Sequence, residues 1–150
     1  MSQPGFGVML NMLSSNETTV NAIKKIIGKE ITALKLEEPT YDPYMEEKAY
    51  SSLAVTVSDG TVVLLYDGGQ SCCETRYMRT DDDLKDFVGA VLTDVEIRNA
   101  APIAENYGDH EIQFLVLKTS EGDLTLSNHN VHNGYYGGFA IQAREMVYST

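Results

Sequence analysis

The stretch SLAVTVSDGTVVLLY, from Ser52 to Tyr66, reads as two strands and the turn between them. Ser52 to Val57 and Thr61 to Tyr66 are rich in β-branched and large apolar residues, the types that fit a pleated, half-buried surface. Ser58-Asp59-Gly60 separates them, and Asp-Gly supplies the positive φ that a tight hairpin turn requires. A loop this short joins antiparallel neighbours, because a parallel return needs a crossover of a dozen or more residues. The hairpin sets the expected grammar of the chain, which is a meander of antiparallel pairs.

Downstream the same grammar returns. Glu111 to Thr119 and Asp123 to Asn128 flank Glu121-Gly122 as a second hairpin. Between the two hairpins, Asp67-Gly68-Gly69 reads as a turn, Cys72 to Met78 as a strand and Val91 to Ile97 as another. Thr80-Asp81-Asp82-Asp83 opens a short helix through Phe87, with its acids where the helix dipole favours negative charge, and Gly89 closes it. Ala100 to Asp109 reads as a loop, and Phe139 to Met146 is the last strand, after a glycine-rich turn at Asn133 to Gly138. Upstream, Val20, Ile23 and Ile27 recur at helical spacing over Glu17 to Ile27. Ser15 or Asn16 can cap that helix, and Gly28 suits the left-handed residue beyond its end. Glu30 to Leu36 reads as a strand whose buried side holds Ile31 and Ala33, together with Leu34 and Leu36. Pro39 to Lys48, with two prolines and several acids, reads as a loop. The expected fold is α+β, a curved, mainly antiparallel sheet of about seven strands with two short helices. Residues 1–150 read as a single domain, with 1–14 a flexible lead-in broken by Pro4, Gly5 and Gly7.

The chain has 150 residues, enough to bury a core without disulfides or metal. Its net charge of −11 disfavours a phosphate-tracking nucleic-acid surface and docking on anionic membranes. The same charge suits solubility or a basic partner. No apolar run approaches the roughly 20 residues of a membrane span. Met1 to Met12 lacks the basic start of a signal peptide. The two cysteines, Cys72 and Cys73, are adjacent and cannot staple distant segments, so a reducing cytoplasm is the expected setting.

Four segments carry candidate chemistry. Cys72-Cys73-Glu74 lies on an expected strand, where alternate residues face opposite sides. One cysteine then packs as a small core residue, and a catalytic Cys73 would need a base from His110, His129 or His132. In Asn128-His129-Asn130-Val131-His132-Asn133, the two histidines could join the two cysteines as four zinc ligands, but adjacent cysteines point apart and fit such a site poorly, so the segment reads as a polar strand end. The Asp81-Asp82-Asp83 run lacks the pattern of a calcium loop and reads as a solvated helix start. In Asn133-Gly134-Tyr135-Tyr136-Gly137-Gly138, the tyrosines can stack on a base while the glycine backbone donates to a phosphate. The plainer alternative there is a wide hairpin whose tyrosines pack on the sheet. Arginines are scarce enough to matter. Arg76 and Arg79 flank the cysteine strand, Arg98 ends another, and Arg144 lies on the last. The expected ligand-binding set is Tyr135, Tyr136, Gly137, Gly138, Arg76 and Arg144, with no catalytic residue, metal or cofactor.

Taken together, Ile27-Gly28-Lys29, Tyr66-Asp67, Cys72-Cys73-Glu74, Asp83-Leu84 to Val88-Gly89, and Asn133-Gly134-Tyr135-Tyr136 resemble the layout of a family of small uncharacterised bacteriophage-encoded domains. The resemblance covers about residues 26 to 142. It rests chiefly on the Cys-Cys-Glu and Asn-Gly-Tyr-Tyr pair. The chain departs from it by an extra N-terminal segment, a longer loop at Thr40 to Tyr50, and the absence of tryptophan. The resemblance implies a phage accessory protein at work in the cytoplasm of an infected bacterium, binding and neutralising a host factor. The leading expectation is a non-enzymatic, anti-defence protein that sequesters a small nucleotide signal, with exposed strand edges offering a route to a homo-oligomer. The alternatives are an acidic inhibitor of a host defence protein, mimicking nucleic-acid charge, and a cysteine-dependent enzyme.

Overall fold

Asn16 caps the first helix. Its side-chain oxygen accepts from the backbone N–H of Thr19 at 2.9 Å, satisfying one of the orphan donors of a helix start. Helix α1 (Glu17–Ile26) follows, and it buries Thr19, Ala22 and Ile26 along one face. Gly28, at φ 83°, turns the chain out of the helix in the left-handed region that glycine enters without strain. The structure is a computed structural model that describes residues 16–37, 51–68, 75–99, 103–105, 108–132 and 139–146. The expected lead-in at 1–14, the Pro39 to Lys48 loop, Cys72-Cys73-Glu74 and the Asn133 to Gly138 turn lie outside them.

Among the described residues, nine strands form two antiparallel sheets. The first contains β1 (Ile31–Glu37), β2 (Ser52–Val57), β3 (Val62–Asp67) and, from the far end of the chain, β9 (Ile141–Met146), in the order β1-β2-β3-β9. The second is ordered β4-β8-β7-β5, from β4 (Thr75–Arg79), β8 (Gly122–His132), β7 (Gly108–Thr119) and β5 (Leu92–Asn99). The short β6 (Ile103–Glu105) also pairs with β7. Thus the expected single sheet is two sheets, and the expected loop at Ala100 to Asp109 contains a strand. The acidic second helix contracts to one 3₁₀ turn, Leu84–Phe87, held by Asp83, whose carboxylate accepts from Lys85 N at 3.1 Å. Both expected hairpins are present, turned by Gly60 at φ 90° and Gly122 at φ 113°.

The sheets join at one corner. Gly28 N donates to Leu92 O at 2.7 Å and Leu92 N to Lys29 O at 3.0 Å. Ile31 N donates to Ala90 O and Gly89 N to Ile31 O, both at 2.7 Å. Each strand leaves this corner through a bulge, between Ile31 and Ala33 in β1 and between Leu92 and Asp94 in β5. The extra residue is a threonine in both cases. Thr32 and Thr93 donate to the carbonyls of Thr56 (3.3 Å) and Lys118 (3.0 Å) on the neighbouring strands. A bulge shifts the alternation of side chains. Ala33 therefore faces solvent, against expectation, while Leu34 and Leu36 join Ile31 on the core side.

One core fills the space between the sheets. Leu53, Val55, Val63, Leu65 and Ile141 from the first sheet meet Met78, Ile97, Leu115, Leu117, Leu124 and Leu126 from the second, all fully or almost fully buried. Burying side chains of this size contributes about 1.5–3 kcal/mol each. Helix α1 covers the outer edge of β9, where Thr19 Oγ1 accepts from Ala143 N at 3.2 Å and Lys25 pairs with Glu145. Among the described residues no helix is long and apolar enough to cross a membrane.

Candidate functional site

Among the described residues, two polar clusters break from this apolar pattern. The first lies inside. Along β7 and β8 the inward-facing positions run from leucine to carboxamide, so that Leu115 and Leu126 give way to the facing pair Gln113 and Asn128, and then to Asn130. Across from them Arg76 of β4 reaches Asp67 of β3. Its guanidinium donates to both carboxylate oxygens at 3.0 and 2.9 Å, and both side chains are at most 10% exposed. Asp67 also accepts from Ala140 N at 3.0 Å, which ties the ion pair to the start of β9. Asp67, which reads from sequence as a turn residue, and Asn128, which reads as a strand end, are thus built into the interior.

The second cluster lies on the outer face of the five-stranded sheet. Tyr77 and Arg79 of β4 are the cross-strand partners of His129 and Ser127 of β8. All four side chains point outward, because Met78 between them points into the core. The rings of Tyr77 and His129 stack with centroids 4.5 Å apart and 5° between their planes. Arg79 lays its guanidinium 4.9 Å from the Tyr77 centroid, within cation–π range. His110 of β7 completes the group. Its Nε2 lies 2.9 Å from His129 Nδ1, and His129 Nε2 lies 2.9 Å from Ser127 Oγ. Partial burial, reinforced by the charges of His110 and Arg79, holds His129 below its ordinary pKa of 6.5. His129 is therefore neutral at neutral pH. The result is a stacked pair of rings beside a solvent-exposed guanidinium, on a chain whose net charge is −11.

The two described arginines of the expected set do not share a face. Arg76 is in the interior ion pair, while Arg144 stands on the outer side of the four-stranded sheet, 5.7 Å from the Tyr66 ring centroid. Tyr135, Tyr136, Gly137 and Gly138 lie outside the described residues, as do Cys72 and Cys73. Within the acidic run, Asp82 accepts from Thr125 N at 2.9 Å and Asp83 caps the 3₁₀ turn, so both carboxylates serve the fold. No three His, Cys, Asp or Glu side chains among the described residues are grouped to hold a metal ion. Sequence reasoning weighed His110 as a base for a cysteine and His129 as such a base or a zinc ligand, and passed over Tyr77 and Ser127. The alternation of Tyr77, Met78 and Arg79, and of Ser127, Asn128 and His129, was the available signal that these residues share one face.

Comparison with known proteins finds one family model, described as a domain of unknown function (DUF7448), that matches residues 16–141. No curated protein and no solved structure matches the chain.

Proposed function

The chain belongs to the DUF7448 family, and from that premise we propose that it is a ligand-binding protein that sequesters a small, planar, anionic molecule, a nucleotide signal being the best chemical fit. The observation that carries this reading is the Tyr77–His129 stack with Arg79 beside it. A base laid on such a surface gains stacking energy, about 1–3 kcal/mol by alanine substitution. A guanidinium supplies the geometry that phosphate oxygens prefer. The same cluster answers the problem posed by net charge. An acidic chain repels anions at long range, so it must place positive charge locally to hold one, and the exposed Arg79 does so.

Tyr135, Tyr136, Gly137 and Gly138, which follow β8 in sequence, stay in the proposed ligand-binding set for the chemistry of their side chains and backbone donors. The resemblance to phage-encoded domains supplies a setting in which withholding a nucleotide signal from a host defence system is useful.

The test is a thermal-shift screen of the purified protein against cyclic dinucleotides, cyclic oligonucleotides and ADP-ribose derivatives. Ligand at a hundred times its Kd adds about 2.7 kcal/mol of stability. A saturable rise in Tm that is lost in Tyr77→Ala and weakened in Arg79→Gln supports the reading. Silence across the panel removes nucleotides as the ligand class.

A further inference from the structure

We propose that Ser127 is a nucleophile toward carboxylic esters, with His129 as its general base and His110 as the residue that positions that base. The proposal does not rest on nucleotide binding, because sequestration needs the rings and the guanidinium but no hydroxyl aligned on an imidazole nitrogen.

Geometry carries it. Ser127 and His129 are two apart on β8, so both stand on the outer face, and Oγ meets Nε2 at 2.9 Å. The other ring nitrogen, Nδ1, meets His110 Nε2 at the same distance. These are hydrogen-bond lengths between nucleophile and base and between base and orienting group, the two contacts that define an activated serine. The competing acceptor for the Ser127 hydroxyl is Arg79 O, at 3.4 Å. The shorter contact directs the proton to His129 Nε2. His129 then carries its own proton on Nδ1 and donates it to His110 Nε2. Because His129 is held below its ordinary pKa, its base form is already populated at neutral pH. Ser127 is partly exposed, and its cross-strand partner Arg79 brings an exposed positive charge to the same face, where an oxyanion would develop.

The reaction balances without a cofactor. Ser127 Oγ bonds to the ester carbonyl carbon as its proton passes to His129 Nε2. The tetrahedral oxyanion collapses, the carbon–oxygen bond to the alcohol breaks, and His129 returns the proton to the leaving oxygen. Water then repeats the sequence on the acyl-serine, which releases the carboxylic acid and restores Ser127.

A fluorophosphonate probe tests this on the full chain, read by intact mass and peptide mapping. The expected result is a single adduct on Ser127 that is absent in Ser127→Ala. Labelling should slow by about a hundredfold or more in His129→Gln. In the wild type the rate should rise with pH through the depressed titration of His129. His110→Asn should shift that profile while Ser127 is still labelled, an effect that a purely structural role would not produce. No adduct on the wild-type chain at pH 8, an adduct on another residue, or a rate that is flat with pH overturns the proposal. Melting curves establish that the variants fold, and should His129→Gln fail to fold, the wild-type profile decides alone. A labelled Ser127 with a silent nucleotide screen rejects the ligand class and keeps the relay, whereas the reverse pattern rejects the relay and keeps the ligand.

Discussion

His129 Nδ1 faces His110 Nε2 at 2.9 Å, with Tyr77 stacked on the His129 ring. Partial burial, with the charges of His110 and Arg79 acting in the same direction, makes the folded state resist a proton on His129. The unfolded chain, with His129 near its ordinary 6.5, takes that proton first. Stability from this residue is therefore fully present above about pH 6.5 and is lost as pH falls through the lowered folded pKa. Urea melts of the wild type and His129→Gln between pH 8 and pH 5 should show a steeper loss for the wild type. Parallel curves would mean that His129 titrates alike in both states.

Anion binding reverses the same linkage. A phosphate held beside Arg79 and His129 favours the imidazolium, so affinity should increase as pH falls below neutrality and level off once His129 is protonated in the free protein. Titration calorimetry at several pH values should also show proton uptake on binding. Affinity that is independent of pH would place the anion away from His129.

Asp67 and Arg76 form the buried ion pair beneath the start of β9. Removing one partner strands a charge in the interior, and Asp67→Asn should cost about 3–5 kcal/mol. Replacing both with apolar residues should cost less than the sum of the two single changes, because the stranded charge disappears with the pair. Chemical denaturation of both single variants and the double variant measures that coupling. Additive losses would show that the two residues act separately.

How much of this was legible in the sequence depends on range. Asp59-Gly60 and Glu121-Gly122 marked both hairpins, and Asn16 and Gly28 marked the ends of α1, because each signal lies within a few residues of its effect. Which strands pair across longer separations left no such mark. β3 meets β9, and β4 meets β8, through register that only the packed core selects. That is why one expected sheet is two. The threonine bulges were equally hidden, since Thr32 and Thr93 read as ordinary strand residues until the corner forms between them. The outer-face cluster follows the same rule. His110, His129, Ser127 and Tyr77 come from three strands, and the alternation visible in each strand says only which residues share a side. Arg76 was visible as a scarce cation, but its partner Asp67 read as a turn residue, so the interior pair went unread.

Thr19 offers the sharpest test of how α1 is held on the sheet. It is 1% exposed, and its hydroxyl accepts from Ala143 N on the outer edge of β9. Thr19→Val keeps the shape and the apolar contacts but removes the acceptor, leaving a buried backbone N–H without that bond. Such a loss costs about 1–3 kcal/mol. Asn16→Ala removes only the helix cap and should cost about 1 kcal/mol. The two changes separate by hydrogen exchange. Loss of the cap should speed exchange in the first turn of α1 alone, whereas loss of the Thr19 bond should also expose the Ala143 amide, because that amide is protected from across the helix–sheet contact. An Ala143 amide that exchanges slowly in Thr19→Val would show that packing of Ala22 and Ile26 holds the helix in place without the hydroxyl.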